Sequence, residues 1–214
     1  MNKNLDVNTL VLAKNKDIAD EIRACFKNKK ILALNLMSSP GSGKTQLLEN
    51  TIRGSKLKIA VVEGDLETNK DAIRIKNAGA VAHQITTGQS CHLDAIMVKK
   101  AIEAMQLDDR EIVFIENVGN LVCPASYDVG AHINVVLLST PEGSDKVSKY
   151  PVMFRRADVL VISKIDLIEH FNFSVTEVEE SLKALNPKAK IIFTSKDNAE
   201  EWIAFLESEL AHVS

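Results

Sequence analysis

The sequence predicts an α/β fold: a mostly parallel sheet of about seven strands with helices on both faces. Three observations predict it. Short runs that are apolar on consecutive residues recur along the chain, as strands buried on both faces require. Stretches with helical spacing of apolar groups separate them. One strand-to-helix junction is a glycine-rich loop ending in Lys-Thr, the layout of a phosphate-binding P-loop.

Residues 1–30 read as an N-terminal helical extension, with Ile18, Ile22, Cys25 and Phe26 on one side, so that Cys25 is expected in the core. A P-loop domain follows over 31–214, and a chain of 214 residues fits a single domain overall. The first strand is the run 31–36. Ser38-Ser39-Pro40-Gly41-Ser42-Gly43-Lys44-Thr45 comes next, and Gln46-Leu47-Leu48-Glu49-Asn50 opens a helix. Further strands are expected at 58–62, 80–85, 111–115, 133–138, 158–162 and 190–194. Leu93, Ile96, Met97, Ala101, Ala104 and Met105 share a helix face, with Ser90 as N-cap and Cys91 in the first turn. Trp202, Phe205, Leu206 and Leu210 do the same for the last helix.

Composition narrows the function classes. A net charge of −3 gives no reason to expect nucleic acid as a partner. The opening Met1-Asn2-Lys3-Asn4 is polar, no signal-peptide pattern is visible and no apolar run is long enough to span a bilayer. The expectation is therefore a cytoplasmic protein with no membrane association. In that compartment Cys25, Cys91 and Cys123 suggest core residues, metal ligands or a nucleophile, not a disulfide frame.

The P-loop sets the chemistry. Gly41 and Gly43 allow a backbone curl that turns N–H groups toward a polyphosphate, and the helix N-terminus adds its positive end. The expected phosphate contacts are Gly41, Ser42, Gly43, Lys44, Thr45 and Gln46, with Lys44 on the β- and γ-phosphates and the Thr45 hydroxyl on Mg²⁺. Ser38 stands where the usual pattern has its first glycine. Ser163-Lys164-Ile165-Asp166 resembles the guanine-reading Asn-Lys-x-Asp motif, with serine for asparagine. An Asp166 carboxylate accepts from guanine N1–H and N2–H₂, a donor pair that adenine lacks. Lys164 would pack over the base, and Ser195-Lys196 would close over it, although they serve equally as a plain turn. Glu116-Asn117-Val118-Gly119 resembles an Asp-x-x-Gly switch, with Glu116 at the Mg²⁺ shell and the Gly119 amide at the γ-phosphate. Asp65 would ligate Mg²⁺ or orient the attacking water; the sequence chooses no role for Glu63. Lys44, Asp65 and Glu116 are thus the expected catalytic residues, and Thr45, Asp65 and Glu116 the Mg²⁺ set.

A second chemistry lies in Cys91-His92 and Cys123-Pro124. Two soft thiolates and an imidazole suit Zn²⁺ or Ni²⁺, although cysteines are often simply buried and His92 could pack or cap. One chain offers only these ligands, and a site shared across a two-fold axis would supply more.

Ser-Ser-Pro-Gly-Ser-Gly-Lys-Thr at 38–45, Glu-Gly-Asp-Leu-Glu-Thr-Asn at 63–69, Thr-Thr-Gly-Gln-Ser-Cys-His at 86–92, Glu-Asn-Val-Gly-Asn-Leu-Val-Cys-Pro at 116–124 and Pro-Glu-Gly-Ser-Asp-Lys at 141–146 together resemble the HypB family. These are SIMIBI-class P-loop GTPases that load nickel during maturation of nickel–iron hydrogenases. The resemblance implies GTP or GDP with Mg²⁺, a GTP-dependent homodimer, and Ni²⁺ or Zn²⁺ held at its interface by Cys91, His92 and Cys123. It implies that the loop 142–149 lies near the partner subunit, where Lys146 or Lys149 would touch phosphate in trans. It also implies the small nickel chaperone HypA and the hydrogenase maturation machinery as partners. The N-terminal Cys-rich or His-rich metal motif of many members is not in this sequence, whose N-terminal region carries Cys25 and no histidine. Two readings compete: a urease-accessory nickel GTPase, whose Cys-Pro-His motif contrasts with Cys123-Pro124-Ala125 here, and a small-molecule kinase.

Overall fold

The computed structural model describes residues 6–65 and 70–213. In chain order its elements are α1 Asp6–Asn28, β1 Leu32–Ser38, α2 Lys44–Gly54, β2 Ile59–Asp65, α3 Lys70–Ala78, β3 Val81–Thr86, α4 Ala95–Glu103, β4 Ile112–Glu116, β5 Ile133–Ser139, α5 Lys146–Lys149, α6 Pro151–Arg155, β6 Val159–Ser163, α7 Val175–Leu185, β7 Lys190–Phe193 and α8 Glu200–Ala211. The seven strands form one sheet in the order β3-β2-β4-β1-β5-β6-β7. Every neighbouring pair is parallel.

Strand alternation distributes the core. Leu32, Leu34 and Leu36 of β1 face Leu47 and Leu48 of α2, Ile75 of α3, and Trp202 and Leu206 of α8. Ala33 turns the other way, toward Ile22 and Phe26 of α1 and Val98 of α4. Met37 shares that second face with Phe154 of α6 and with Val178 and Leu182 of α7. Helices therefore cover both faces, and β1, buried along its whole length, occupies the middle of the sheet. The carboxyl end of β1 feeds the P-loop, which puts that loop where the two halves of the sheet diverge.

The strands lie where the apolar runs predict, but β1 and β2 extend further at their carboxyl ends. Glu63, Gly64 and Asp65 remain paired to Gln84, Ile85 and Thr86 of β3, so both acids belong to the strand. Two local expectations are corrected. Cys25 is exposed, because the buried stripe of α1 runs through Asn15, Ala19, Ile22 and Phe26, and Cys25 sits one helical step off it. The helix after β3 starts at Ala95, where Asp94 caps by accepting from Met97 N at 2.8 Å. Ser90 is not its cap, and Cys91 and His92 lie in the preceding loop, not in the first turn of the helix. Residues 66–69 of the Glu-Gly-Asp motif lie outside the described residues. Among the described residues no helix is long and apolar enough to cross a membrane.

Candidate functional site

A cleft of about 760 Å³ opens at the carboxyl ends of β1, β2, β4 and β6. All the residues expected at the nucleotide line it: Gly41 through Gln46, Asp65, Glu116, Gly119, Lys164, Asp166, Ser195 and Lys196. Gly41 and Gly43 have φ of +77° and +98°, backbone that residues with a Cβ rarely adopt. No side chain caps α2, so its first N–H groups face the cleft as an anion site.

Side chains brace this loop from three directions. Ser42 Oγ donates to Glu142 Oε2 at 2.7 Å, and Ser39 Oγ donates to the same carboxylate. Ser139 secures Glu142 in turn, through its N–H at 2.8 Å and its hydroxyl at 2.6 Å. Ser163 Oγ donates to Ser42 O at 2.6 Å, so the serine at the asparagine position still ties the base-reading loop to the P-loop. Lys164, at φ +58°, donates from Nζ to Gly41 O at 2.8 Å. Lys44 Nζ reaches Ser38 Oγ at 3.0 Å, which gives the serine at the first motif position a partner inside the loop. On the base side, Asp166 Oδ1 accepts from Lys196 N at 3.3 Å, and Asn50 Nδ2 donates to Lys196 O at 2.8 Å.

The acidic end of the cleft is built by sheet register. Glu63 of β2 and Glu116 of β4 are direct cross-strand partners, 2% and 3% exposed. Thr45 Oγ1 donates to Glu116 Oε1 at 2.9 Å. The second oxygen of each carboxylate has no hydrogen-bond partner among the described residues. Burial, then the charge of Glu116, pushes the Glu63 carboxyl up to about 8. Burial raises Glu116 to about 7 against the pull of Lys44 and the Thr45 hydroxyl. A hard divalent cation fits this oxygen set and would relieve both carboxylates. Glu63, for which no motif names a role, thus stands at the centre of the acidic end, with half-buried Asp65 on the same strand face. Arg74 and Asp71 of α3 also line the cleft, unsignalled by any motif. Arg74 pairs with Glu49 of α2 at 2.6 Å and with Asp71 at 3.1 Å.

The segment after β4 runs from this cleft to the cysteines. A Cβ on Gly119 would lie 2.9 Å from the Pro40 backbone, so the segment touches the P-loop directly. Asn120 donates from N to Ser38 O at 2.7 Å and from Nδ2 to Cys91 O at 3.3 Å. Asn117 Oδ1 accepts from Leu93 N at 3.0 Å. Beyond them Cys91 Sγ, a His92 ring nitrogen and Cys123 Sγ all lie within 4.8 Å of one another. The neighbouring Cys91 and His92 therefore both lie close to Cys123. The His92 ring stacks on Tyr127, with centroids 3.8 Å apart and planes 21° off parallel. All three candidate ligands are half-buried, and Val122 beside Cys123 is 60% exposed. The hydrogen bond with Cys123, then burial, raises the Cys91 thiol, and burial lowers His92. Both shifts favour the neutral forms of Cys91 and His92, and a thiophilic cation bound there would displace the Cys91 proton. Lys146 and Lys149 do not line the cleft of their own chain; both pair with Asp145.

A family model described as CobW/HypB/UreG, nucleotide-binding domain, matches residues 32–193. The hydrogenase/urease maturation factor HypB of Helicobacter pylori is 49% identical over 200 residues, which cover 91% of this chain and 83% of that protein. The crystal structure of HypB from Helicobacter pylori in complex with nickel matches with a TM-score of 0.89 at 46% identity, over 94% of this chain and 95% of that one. The crystal structure of the hydrogenase maturation factor HypB from Archaeoglobus fulgidus matches with a TM-score of 0.85 at 40% identity, over 93% and 100%.

Proposed function

The chain belongs to the CobW/HypB/UreG family of nucleotide-binding domains, among its HypB members, and from that premise we propose that it is a GTP-hydrolysing metallochaperone that delivers nickel for hydrogenase maturation. The observation that carries the reading is the short path from P-loop to cysteines. Asn120 binds Ser38 at one end and Cys91 at the other, and Cys123 follows on the same segment. A γ-phosphate against the Gly119 amide would hold that segment, and its loss would release it. The nickel found with the Helicobacter pylori relative supports nickel as cargo here.

Each residue has a task in the hydrolysis. Asp166 selects guanine, with Lys164 packed over the base. Lys44 neutralises the β- and γ-phosphate oxygens. Thr45, Glu116 and Asp65, with Glu63 beside them, would hold Mg²⁺, which supplies charge neutralisation at the transferred phosphate. Asp65 orients the attacking water. The cargo site opens outward, and a second copy facing it would complete the ligand shell of Ni²⁺ or Zn²⁺. In that dimer Lys146 or Lys149 would exchange Asp145 for phosphate of the other subunit. The exposed Leu10, Val11 and Leu12 of α1 offer a small partner such as HypA an apolar docking stretch. The double role in the name of the Helicobacter pylori relative supports a second reading, in which the chain also serves urease.

Light-scattering mass and metal analysis on the chain with Ni²⁺ test the proposal, with GDP against a non-hydrolysable GTP analogue. The expected result is a nickel-bearing dimer with the analogue alone, lost in the Cys91→Ala/Cys123→Ala double variant. Mass and metal content that ignore the nucleotide would sink the coupling. Phosphate transfer from ATP to a metabolite would favour a kinase instead.

A further inference from the structure

We infer that Asn15 of the N-terminal helix is a positioning residue for the metal cluster: it holds the two loops that carry Cys91-His92 and Cys123 at their working distance. The inference rests on the reading of that cluster as a metal site. Asn15 is 5% exposed, buried although it is an amide on a surface helix. Its Nδ2 donates to Asp128 O at 2.7 Å, and its Oδ1 accepts from Ala95 N at 2.8 Å. Asp128 directly follows Tyr127, the ring on which His92 stacks, in the loop that begins at Cys123. Ala95 opens α4 just after Cys91-His92. One side chain therefore clamps both ligand-bearing segments by their backbones. A carboxamide suits this place because it donates and accepts at once. It also supplies the first N–H of α4 with the partner that no intrahelical carbonyl can give.

The surroundings make the clamp rigid. Arg23, further along α1, reaches both oxygens of the Asp128 carboxylate at 2.7 and 2.8 Å and Ala131 O at 3.1 Å. A Cβ on Gly130 would come within 2.6 Å of Ile22, so loop and helix pack tightly there. By contrast, Asn120 joins the switch segment to Cys91 through a longer 3.3 Å bond. α1 thus backs both ligand-bearing loops without touching the three candidate ligands. Loss of a group bonded directly to a ligand typically weakens metal binding about ten- to hundred-fold, and Asn15 acts one step further out, so the expected loss is at the lower end, about ten-fold or less.

The test measures Ni²⁺ affinity by competition with a chromophoric chelator, the thiolate-to-nickel charge-transfer absorption, GDP affinity and melting temperature, all on the full chain. Asn15→Ala is expected to weaken Ni²⁺ binding by about three- to ten-fold and to alter the charge-transfer bands, with GDP affinity held within about two-fold. Asn15→Asp keeps the acceptor for Ala95 N and loses the donor to Asp128 O. It is expected to fall between the parent and Asn15→Ala, and it serves as the test protein if the alanine variant does not fold. A purely structural role would lower the melting temperature and leave nickel affinity and spectrum unchanged, and that result overturns the proposal. Cys91→Ala separates the two levels. If Cys91→Ala abolishes nickel binding while the Asn15 variants bind as the parent does, the clamp alone is wrong. If Cys91→Ala binds nickel as the parent does, the metal-site reading fails and takes the clamp with it.

Discussion

In the proposed function base selection would turn on Asp166, whose carboxylate is exposed at the rim of the cleft and held toward the Lys196 amide. Charge-assisted hydrogen bonds contribute about 1.5–3 kcal/mol each. Asp166→Asn should therefore weaken GDP binding about ten- to hundred-fold. The same change should strengthen binding of xanthosine diphosphate, whose C2 carbonyl accepts from the new amide. Calorimetric titration of both nucleotides checks this, and an unchanged GDP affinity would refute guanine reading by this residue. The P-loop was legible because its motif is local in sequence, whereas the roles proposed for Asp166 and for Cys91, His92 and Cys123 rest on short motifs and a family resemblance. Glu63 was not legible, because its importance comes from lying opposite Glu116 across a strand pair whose register no local pattern reveals. Glu142 and Ser163 brace the P-loop from distant parts of the chain, and Asn15 clamps the cysteine loops from α1. Such contacts are products of tertiary packing.

At the scale of elements, the strands were readable because doubly buried strands are apolar on consecutive residues. The start of α4 was misplaced because Ser90 and Asp94 are both competent caps. Asp94 takes the role because Leu93 is buried and its N–H is held by Asn117, which fixes the chain direction just before the helix. A comparable local tie joins β1 to the segment before β5, where His132 Nδ1 accepts from Ala33 N at 3.0 Å. That bond needs a neutral imidazole, and burial, then the charges of Arg23 and Lys27, hold the His132 pKa below its ordinary value. The folded state thus takes up this proton later than the unfolded chain does. The stability is complete above the unfolded-state pKa of about 6.5 and is lost as pH falls below it toward the depressed folded value. Urea denaturation at pH 7 and pH 5 should show His132→Gln less stable than the parent by about 1 kcal/mol at pH 7. The difference should shrink at pH 5, and a gap independent of pH would contradict the account.

At the scale of the whole molecule, β1 is the central strand, and the nucleotide cleft and the cysteine cluster both lie beyond the carboxyl rim of the sheet. The fold class was legible from alternating patterns, but the strand order was not, because it depends on which crossovers pass in front of β1 and which behind. A ligand that spans the P-loop and the Asp166 loop joins both halves of the sheet and should stabilise the fold as a unit. At one hundred times its Kd, GDP with Mg²⁺ adds about 2.7 kcal/mol. For a chain of this size that is a rise of roughly 5–10 °C in melting temperature. A thermal melt should show that rise with GDP and none with ADP, and equal rises would count against guanine selection. The one-sided placement also has a practical side. The opposite rim turns at residues 55–58, 104–111 and 186–189, where Lys56, Asp109 and Lys188 are exposed. A dye or a surface tether attached at Lys188 would sit on the far edge from the P-loop cleft and the cysteine cluster, which leaves both open to added nucleotide and metal on an immobilised chain.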